Sequence, residues 1–175
     1  MISKNQIKHI QSLHSKKNRE AEGLFIIEGV KLVSEFISSN AFTLKDVFAT
    51  TAYLKEYGNV LRDNGIPFTE LTEDELKKIS LQTTPNQVLA IAVQKKQVLN
   101  TELLNTQLTL FLDDIRDPGN LGTIIRIADW FGISQVICSK NTTELYNPKT
   151  RQASMGAVLR VNVPSLDFEE LNAWI

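Results

Sequence analysis

The chain has 175 residues, of which 42% are hydrophobic and 22% charged, a balance typical of globular rather than disordered proteins. Its formal net charge is −1, so nucleic-acid binding would have to depend on local basic patches rather than on a global field. The single cysteine excludes an internal disulfide and a cysteine-based zinc cluster. No apolar run approaches the ~18 residues of a membrane span, and no signal-like N-terminus is present, so we expect a cytoplasmic protein without membrane contact.

Alternating helical and strand-like segments predict a small α/β domain over residues 1–96. Ser3 can cap a first helix whose apolar stripe runs from Ile7 to Leu13. Thr72 opens a capping-box pattern before a later helix, and the apolar run Val88 to Val93 is typical of a central strand. The other predicted strands are Leu24 to Glu28, Leu44 to Ala49 and Pro67 to Leu71, and the other predicted helices are Val30 to Ser38 and Ala52 to Asn64.

A polar, aperiodic stretch over 97–106 predicts a linker to a second domain over 107–175. The predicted elements of that domain are a strand at Leu108 to Asp113, a helix at Asn120 to Phe131, a strand at Gln135 to Ser139, a helix at Pro148 to Leu159, a strand at Val161 to Val163 and a last helix that stops at Ala173-Trp174-Ile175. Three strands make an incomplete parallel layer, so we expect a truncated domain. A docked C-terminal helix, or one covered by a partner, is the alternative.

Asn120, Gly122 and Arg126 are the residues that best suit a polar or anionic ligand. A strand and a Pro-Gly turn precede them, and a helix N-terminus in that position can hold an anion. Gly122 and Arg126 share one helix face, so we expect Gly122 to leave open space above the guanidinium. The spacing agrees equally well with an ion pair between Arg126 and Asp129. Asn120 could equally be a helix cap.

Other catalytic arrangements find little support. His9 and His14 have no acidic companion at metal-ligand spacing, so no metal site is expected. Ser154 does not lie in a Gly-x-Ser-x-Gly elbow, and Gly119-Asn-Leu-Gly122 lacks the glycine spacing of a dinucleotide loop. Cys138 lies in an apolar run and is expected to be a small buried hydrophobe.

Asp117-Pro-Gly-Asn-Leu-Gly-Thr-Ile-Ile-Arg126 resembles the first motif, Asn-x-Gly-x-x-x-Arg, of the SpoU/TrmH-type RNA ribose 2′-O-methyltransferases of the SPOUT superfamily. Asn147-Pro-Lys-Thr-Arg-Gln-Ala-Ser-Met-Gly-Ala157 resembles the family's next segment, which lines the same cleft. The block from Arg19 to Glu35 resembles the family's N-terminal substrate-binding domain, which is similar to certain ribosomal proteins. The resemblance covers nearly the whole chain in the family's own order.

The resemblance implies methyl transfer from S-adenosylmethionine to a ribose 2′-hydroxyl of ribosomal or transfer RNA, by a homodimer when the protein is full length. It assigns catalysis to Arg126 and Asn120. Because arginine stays protonated, we expect Arg126 to hold a phosphate and to stabilise developing alkoxide rather than to act as a base. The remaining expected site residues are Gly122, Ser154 and Gly156 in the active-site loop and Lys16, Arg19, Lys31, Lys149 and Arg151 as phosphate contacts.

Nothing in the sequence corresponds to the family's second and third motifs, which form the trefoil-knotted loop that holds the cofactor. The implied fold is therefore a small α/β/α substrate-binding domain followed by the N-terminal part of a Rossmann-like, parallel-sheet SPOUT domain whose knot segment is missing. We expect this chain alone to have no cofactor site and to be inactive. Two other functions stay open: a non-catalytic RNA- or ribosome-binding module, and a small-molecule α/β enzyme that uses the helix start at Asn120 as an anion site.

Overall fold

The computed structural model describes residues 2–174, which form two compact units divided between Gln94 and Lys95. The segment predicted as a linker, 97–106, belongs to the second unit and contains a helix. Asn100 caps that helix by accepting hydrogen bonds from two backbone N–H groups, a local signal that the polar composition concealed. Within residues 2–174 we find no helix long and apolar enough to cross a membrane.

The first unit is a four-stranded sheet with helices packed on it, which confirms the expected small α/β domain. The predicted cap at Ser3 and the predicted capping box at Thr72 are both formed. A second helix, which was not predicted, follows the first. The helices are α1 (Lys4–Ser12), α2 (Lys16–Glu22), α3 (Val30–Ser39), α4 (Thr51–Asp63) and α5 (Glu73–Ile79), and the strands are β1 (Leu24–Glu28), β2 (Leu44–Thr50), β3 (Phe68–Leu71) and β4 (Val88–Val93).

The strands of the first unit follow the order β1-β4-β2-β3. Strand β4 lies between β1 and β2 and is antiparallel to both, while β2 and β3 are parallel, so the prediction of a central β4 is confirmed. Successive side chains of a strand point to opposite faces of its sheet. Ile26 belongs to a cluster with residues of α1 and α5, whereas Phe25 contacts Phe36 of α3. Helices therefore cover both faces of β1.

Arg19 corrects one expectation of the sequence. Its side chain was predicted to contact phosphate, but only 2% of the residue is exposed. Nη1 donates to the carbonyl oxygens of Leu13 and His14 at 2.9 and 2.7 Å. These carbonyls follow the end of α1, where helical acceptors lack partners, and charged donors satisfy such acceptors well. Arg19 thus fixes α2 to the end of α1 and is not accessible to RNA.

The second unit contains a short parallel pair of strands with helices around it. Its helices are α6 (Thr101–Thr106), α7 (Pro118–Trp130), α8 (Pro148–Ser154), a 3₁₀ helix (Ala157–Leu159) and α9 (Phe168–Asn172), and its strands are β5 (Leu110–Leu112) and β6 (Val136–Cys138). A capping box at the start of α9 is supported by a hydrogen bond from the N–H of Asp167 to Glu170. Ile175, where the last helix was expected to stop, lies outside the described residues. Cys138 is buried as predicted, and burial raises its pKa to about 12.

The third strand predicted at Val161 to Val163 is reduced to isolated bridges. Gln135 pairs with Asn162 and Cys138 with Ser165, both in parallel orientation. Pro164 lies between these two bridges. Because proline has no backbone N–H, it cannot donate to a sheet ladder, which accounts for the interruption.

Candidate active site

The loop between β5 and α7 is held in place by two buried hydroxyl groups that follow β6. Ser139 accepts a hydrogen bond from the N–H of Asp114 at 3.0 Å, and Thr142 accepts one from the N–H of Ile115 at 3.3 Å. The ends of neighbouring parallel strands meet at one edge of a sheet, where α/β proteins often bind ligands. Neither hydroxyl residue was predicted from the sequence, although their positions just after a predicted strand were a usable signal.

Asp117 caps α7, so this helix begins two residues earlier than predicted. Its Oδ1 accepts from the N–H of Asn120 at 2.8 Å, and Pro118 occupies the first helical position, where its missing N–H has no cost. Its Oδ2 accepts from Nζ of Lys149 at 2.8 Å. Asn120 is therefore not the cap, and its exposed side chain lies on the first turn of the helix. Lys149 is also exposed, close to that turn.

The Asp117 cap predicts a pH-dependent contribution to stability. The hydrogen bond from Lys149, followed by that from the Asn120 N–H, lowers the pKa of Asp117 below its ordinary value of 3.8. Its charge therefore stabilises the folded state above that ordinary value, and the contribution is lost as the pH falls through the lowered pKa. Asp117→Asn keeps a capping oxygen but removes the charge. We expect wild type to be the more stable at pH 7, with the difference in unfolding free energy disappearing in acid; urea titrations across pH will measure it, and a pH-independent difference would contradict the explanation.

Gly122 does not open space above Arg126, contrary to expectation. A Cβ built at Gly122 would lie 2.4 Å from the carbonyl oxygen of Thr150 and 2.7 Å from Cβ of Ala153. Real Cβ atoms do not approach neighbours this closely, so glycine is what allows α7 and α8 to touch. The glycine of the motif is a packing residue between two helices rather than part of a ligand cradle.

Arg126 is exposed on α7, and the ion pair with Asp129 that its spacing allowed is not formed. Asp129 instead binds Arg160, whereas Nη1 of Arg126 donates to the sulfur of Met155 at 3.2 Å. Met155 is held in the left-handed region, with φ 48°, where the predicted helix Pro148 to Leu159 breaks after Ser154. A thioether is a weak, neutral acceptor, so this contact orients the guanidinium without neutralising it.

Two other expected site residues, Ser154 and Gly156, lie inside the unit. Ser154 is fully buried, and its hydroxyl donates to the carbonyl oxygen of Arg151 at 2.8 Å, closing the end of α8. Gly156 is buried with φ 80°, a conformation that suits glycine and redirects the chain into the 3₁₀ helix. Neither side chain faces a ligand from the surface.

Arg151 was predicted to contact phosphate, but it is 1% exposed. Its guanidinium carbon lies 5.5 Å from the centre of the Tyr146 ring. Burial lowers the pKa of Arg151, and the charge of Tyr146 acts in the opposite direction. The Tyr146 hydroxyl in turn accepts from the N–H of Lys95 at 2.9 Å. Arg151 is thus part of the interior of the second unit and is closed to RNA.

The structure places the remaining expected basic residues in different units. Lys16 and Lys31 are exposed near the starts of α2 and α3 in the first unit, and Lys149 belongs to the second. Within the second unit, Asn120, Arg126 and Lys149 lie on the paired helices α7 and α8. Residues 2–174 contain no group of three or more His, Cys, Asp or Glu side chains arranged to hold a metal ion.

Two of the expected site residues are occupied by contacts within the unit. The face of Gly122 is closed by Thr150 and Ala153, and the buried Ser154 hydroxyl is engaged by a backbone carbonyl. That this chain contributes no cofactor-binding residues stays a prediction.

Comparisons with known proteins identify both units. Residues 4–90 match the MRM3-like substrate binding domain, and residues 107–174 match the SpoU rRNA Methylase family. The chain is 33% identical to the 23S rRNA (guanosine(2553)-2'-O)-methyltransferase RlmP of Bacillus subtilis, over 98% of this chain and 68% of that protein. It is 32% identical to the human mitochondrial rRNA methyltransferase 3, over 85% of this chain but only 36% of that protein.

Solved structures give the same result. A TrmH-family protein from Porphyromonas gingivalis is 38% identical with a TM-score of 0.81, matching 95% of this chain and 63% of its own. An AdoMet-bound rRNA methyltransferase from Sinorhizobium meliloti is 28% identical with a TM-score of 0.85, matching 99% of this chain and 66% of its own. The chain thus spans about two thirds of these structures. From its domain order, its fold and its similarity to the Bacillus protein, the chain belongs to the SpoU/TrmH family of RNA methyltransferases.

Proposed function

We propose that this chain provides the RNA-facing part of a site that methylates the ribose 2′-hydroxyl of ribosomal RNA. The observation that supports this most is the state of Arg126. It is exposed at the position of the family's motif arginine, and its only hydrogen bond among residues 2–174 is to the neutral sulfur of Met155. A guanidinium without a carboxylate partner keeps its full charge and several donors for a ligand.

The proposed role of Arg126 follows from the charge changes on the RNA. The 2′-oxygen loses its proton to water as it gains a methyl group, and negative charge develops on that oxygen before the new bond is complete. Arg126 cannot take up this proton because it is already protonated, but it can stabilise the developing alkoxide and hold the adjacent phosphate. Asn120 lies on the first turn of the same helix, and we assign it the orientation of that loop.

Ribosomal RNA is the proposed substrate because the named relatives act on it, whereas one relative is named only as a tRNA/rRNA methyltransferase. Lys16, Lys31 and Lys149 are exposed and remain our proposed phosphate contacts. A cytoplasmic location stays a prediction, since the relatives include a bacterial protein and mitochondrial ones.

S-adenosylmethionine is the family's cofactor, and it supplies the methyl group when bound. We propose that in the complete enzyme it is held by residues other than those described. The expected homodimer is likewise a proposal. It is supported by three apolar residues of or next to α7, Ile127, Trp130 and Phe131, which are 48%, 85% and 73% exposed, because large apolar patches commonly mark interfaces.

A methyl-transfer assay tests the function. The product of the complete reading frame that encodes these residues is incubated with unmodified ribosomal RNA and S-adenosylmethionine labelled in its methyl group. A 2′-O-methyl group blocks alkaline cleavage of the next phosphodiester, so we expect the label in alkali-resistant dinucleotides. Label on a base, released in mononucleotides, would contradict ribose methylation.

The alternative is a non-catalytic RNA-binding module, and the same preparation distinguishes it. Salt-dependent RNA binding without methyl transfer would favour the module. Calorimetry of the 175-residue chain with S-adenosylmethionine is expected to give no binding heat, whereas the product of the complete reading frame should bind. A small-molecule enzyme would require activity without RNA, and the acidic and basic groups beside Asn120, those of Asp117 and Lys149, are already bound to each other.

A further inference from the structure

The carboxylate of Asp129 is turned away from Arg126 by a third residue. Asp129 follows Arg126 by three positions on α7, a spacing at which opposite charges on a helix can pair. Arg160, which follows the 3₁₀ helix, binds that carboxylate in place of Arg126. Its Nε donates to Oδ1 at 2.9 Å and its Nη2 donates to Oδ2 at 2.6 Å, so two parallel hydrogen bonds hold the pair.

The same chain segment also supplies the neutral contact to Arg126. Met155 and Arg160 flank the 3₁₀ helix, and they contact successive turns of α7: Met155 at Arg126 and Arg160 at Asp129. One segment thus pairs the Asp129 carboxylate with Arg160 and gives the Arg126 guanidinium only a weak, uncharged acceptor. The arrangement depends on the left-handed backbone of Met155 and Gly156, which ends α8 and redirects the chain.

We propose that Arg160 is a positioning residue of the methyl-transfer site, which keeps Arg126 available to RNA by holding Asp129. This proposal rests on the function assigned to Arg126 above. The Asp129 side chain is only 23% exposed, so its carboxylate is poorly solvated and a cationic partner stabilises it. Without Arg160, the guanidinium of Arg126, one turn away on the same helix, takes that place. Substrate phosphate must then compete with the Asp129 carboxylate for the guanidinium of Arg126.

Methionine NMR measures the rearrangement without any catalytic assay. The chain has two methionines, Met1 and Met155, so labelling their methyl groups with carbon-13 gives two signals. Arg126→Ala identifies the Met155 signal and shows how far it moves when the guanidinium is withdrawn. We expect Arg160→Gln to move that signal in the same direction. Adding Asp129→Asn should return it towards wild type, since no carboxylate then attracts Arg126.

Kinetics on the product of the complete reading frame give the second readout. We expect Arg160→Gln to lower kcat/KM for RNA by about twofold, because a helix ion pair of three-residue spacing is a modest competitor. Asp129→Asn alone should be near wild type, and Arg160→Gln with Asp129→Asn should recover the lost rate. Arg160→Lys, which keeps the charge but not the two-bond geometry, should lie between Arg160→Gln and wild type.

The rescue separates positioning from simple stabilisation. If Arg160 served only the fold, removing Asp129 as well would not restore activity, and the double variant would be as slow as Arg160→Gln. That result, or an unmoved Met155 signal in Arg160→Gln, would overturn the proposal. Failure of the proposed function has a different outcome: wild type would then transfer no label to ribose, or Arg126→Ala would turn over normally, whatever the methyl signals do.

Discussion

Arg126→Ala is expected to lower methyl transfer by about 10²–10³-fold, the loss typical of removing one preorganised group that stabilises transition-state charge. The fold should be unaffected, because Arg126 is exposed and its hydrogen bond to Met155 is weak. The measurement is kcat and KM for RNA, with thermal unfolding of the same preparations. The loss should fall mainly on kcat if the guanidinium acts on developing alkoxide, and also on KM if it holds a phosphate in the ground state.

Two variants control this experiment. Arg116 is a second exposed arginine of the same unit, engaged by Asp114, and Arg116→Ala should leave turnover near wild type. Arg126→Lys keeps the charge but loses the planar donor fork, so it should recover part of the activity. Near-normal turnover by Arg126→Ala, with the Arg116 control also active, would remove Arg126 from the catalytic machinery.

Gly122→Ala is expected to destabilise the second unit by about 1–3 kcal/mol, and Gly122→Val by more. The added Cβ meets the Thr150 carbonyl oxygen at 2.4 Å, and backbone cannot move aside as a flexible side chain can. Separating α7 from α8 would also withdraw Met155 from Arg126 and Arg160 from Asp129. Loss of methyl transfer should therefore accompany the loss of stability.

Hydrogen exchange makes this prediction directly measurable. Helices α7 and α8 both belong to the second unit, so exchange of their backbone amide protons reports the stability of that unit alone. Gly58→Ala is the matched control, since a Cβ there finds no atom closer than 3.8 Å within helix α4. Alanine is favoured over glycine in a helix by roughly 0.5–1 kcal/mol, so this control should stabilise the first unit. Circular dichroism during urea unfolding measures that gain. A Gly122→Ala protein as stable as wild type would contradict close packing of α7 on α8.

Signals confined to a few residues predicted most of the elements. The cap at Ser3, the capping box at Thr72 and the apolar run of β4 each depend on neighbours within one turn or one strand. The observed ends of two elements nevertheless differ from the predicted ones, and a proline explains each difference. Pro118 allowed α7 to start early, and Pro164 interrupted the third strand.

The site was harder to predict because its chemistry depends on partners far apart in sequence. Asp129 pairs with Arg160 rather than with Arg126 because the left-handed turn at Met155 redirects the chain. The helical pattern of the sequence did not indicate that turn. The basic residues show the same difficulty. Lys149 and Arg151 are alike in charge and nearly adjacent, yet one is exposed and the other buried, because they lie on different faces of α8.

The strand order of the first unit also has a consequence for synthesis on the ribosome. Strand β4, the last of this unit, is inserted between β1 and β2, so that Leu24 pairs with Val93. Neither β1 nor β2 can find its antiparallel neighbour until β4 has left the exit tunnel. Formation of this sheet therefore waits for the final strand and then joins distant segments, a slow and non-local step. The nascent first unit keeps unpaired strand edges until then, and it folds only after part of the second unit has already been synthesised.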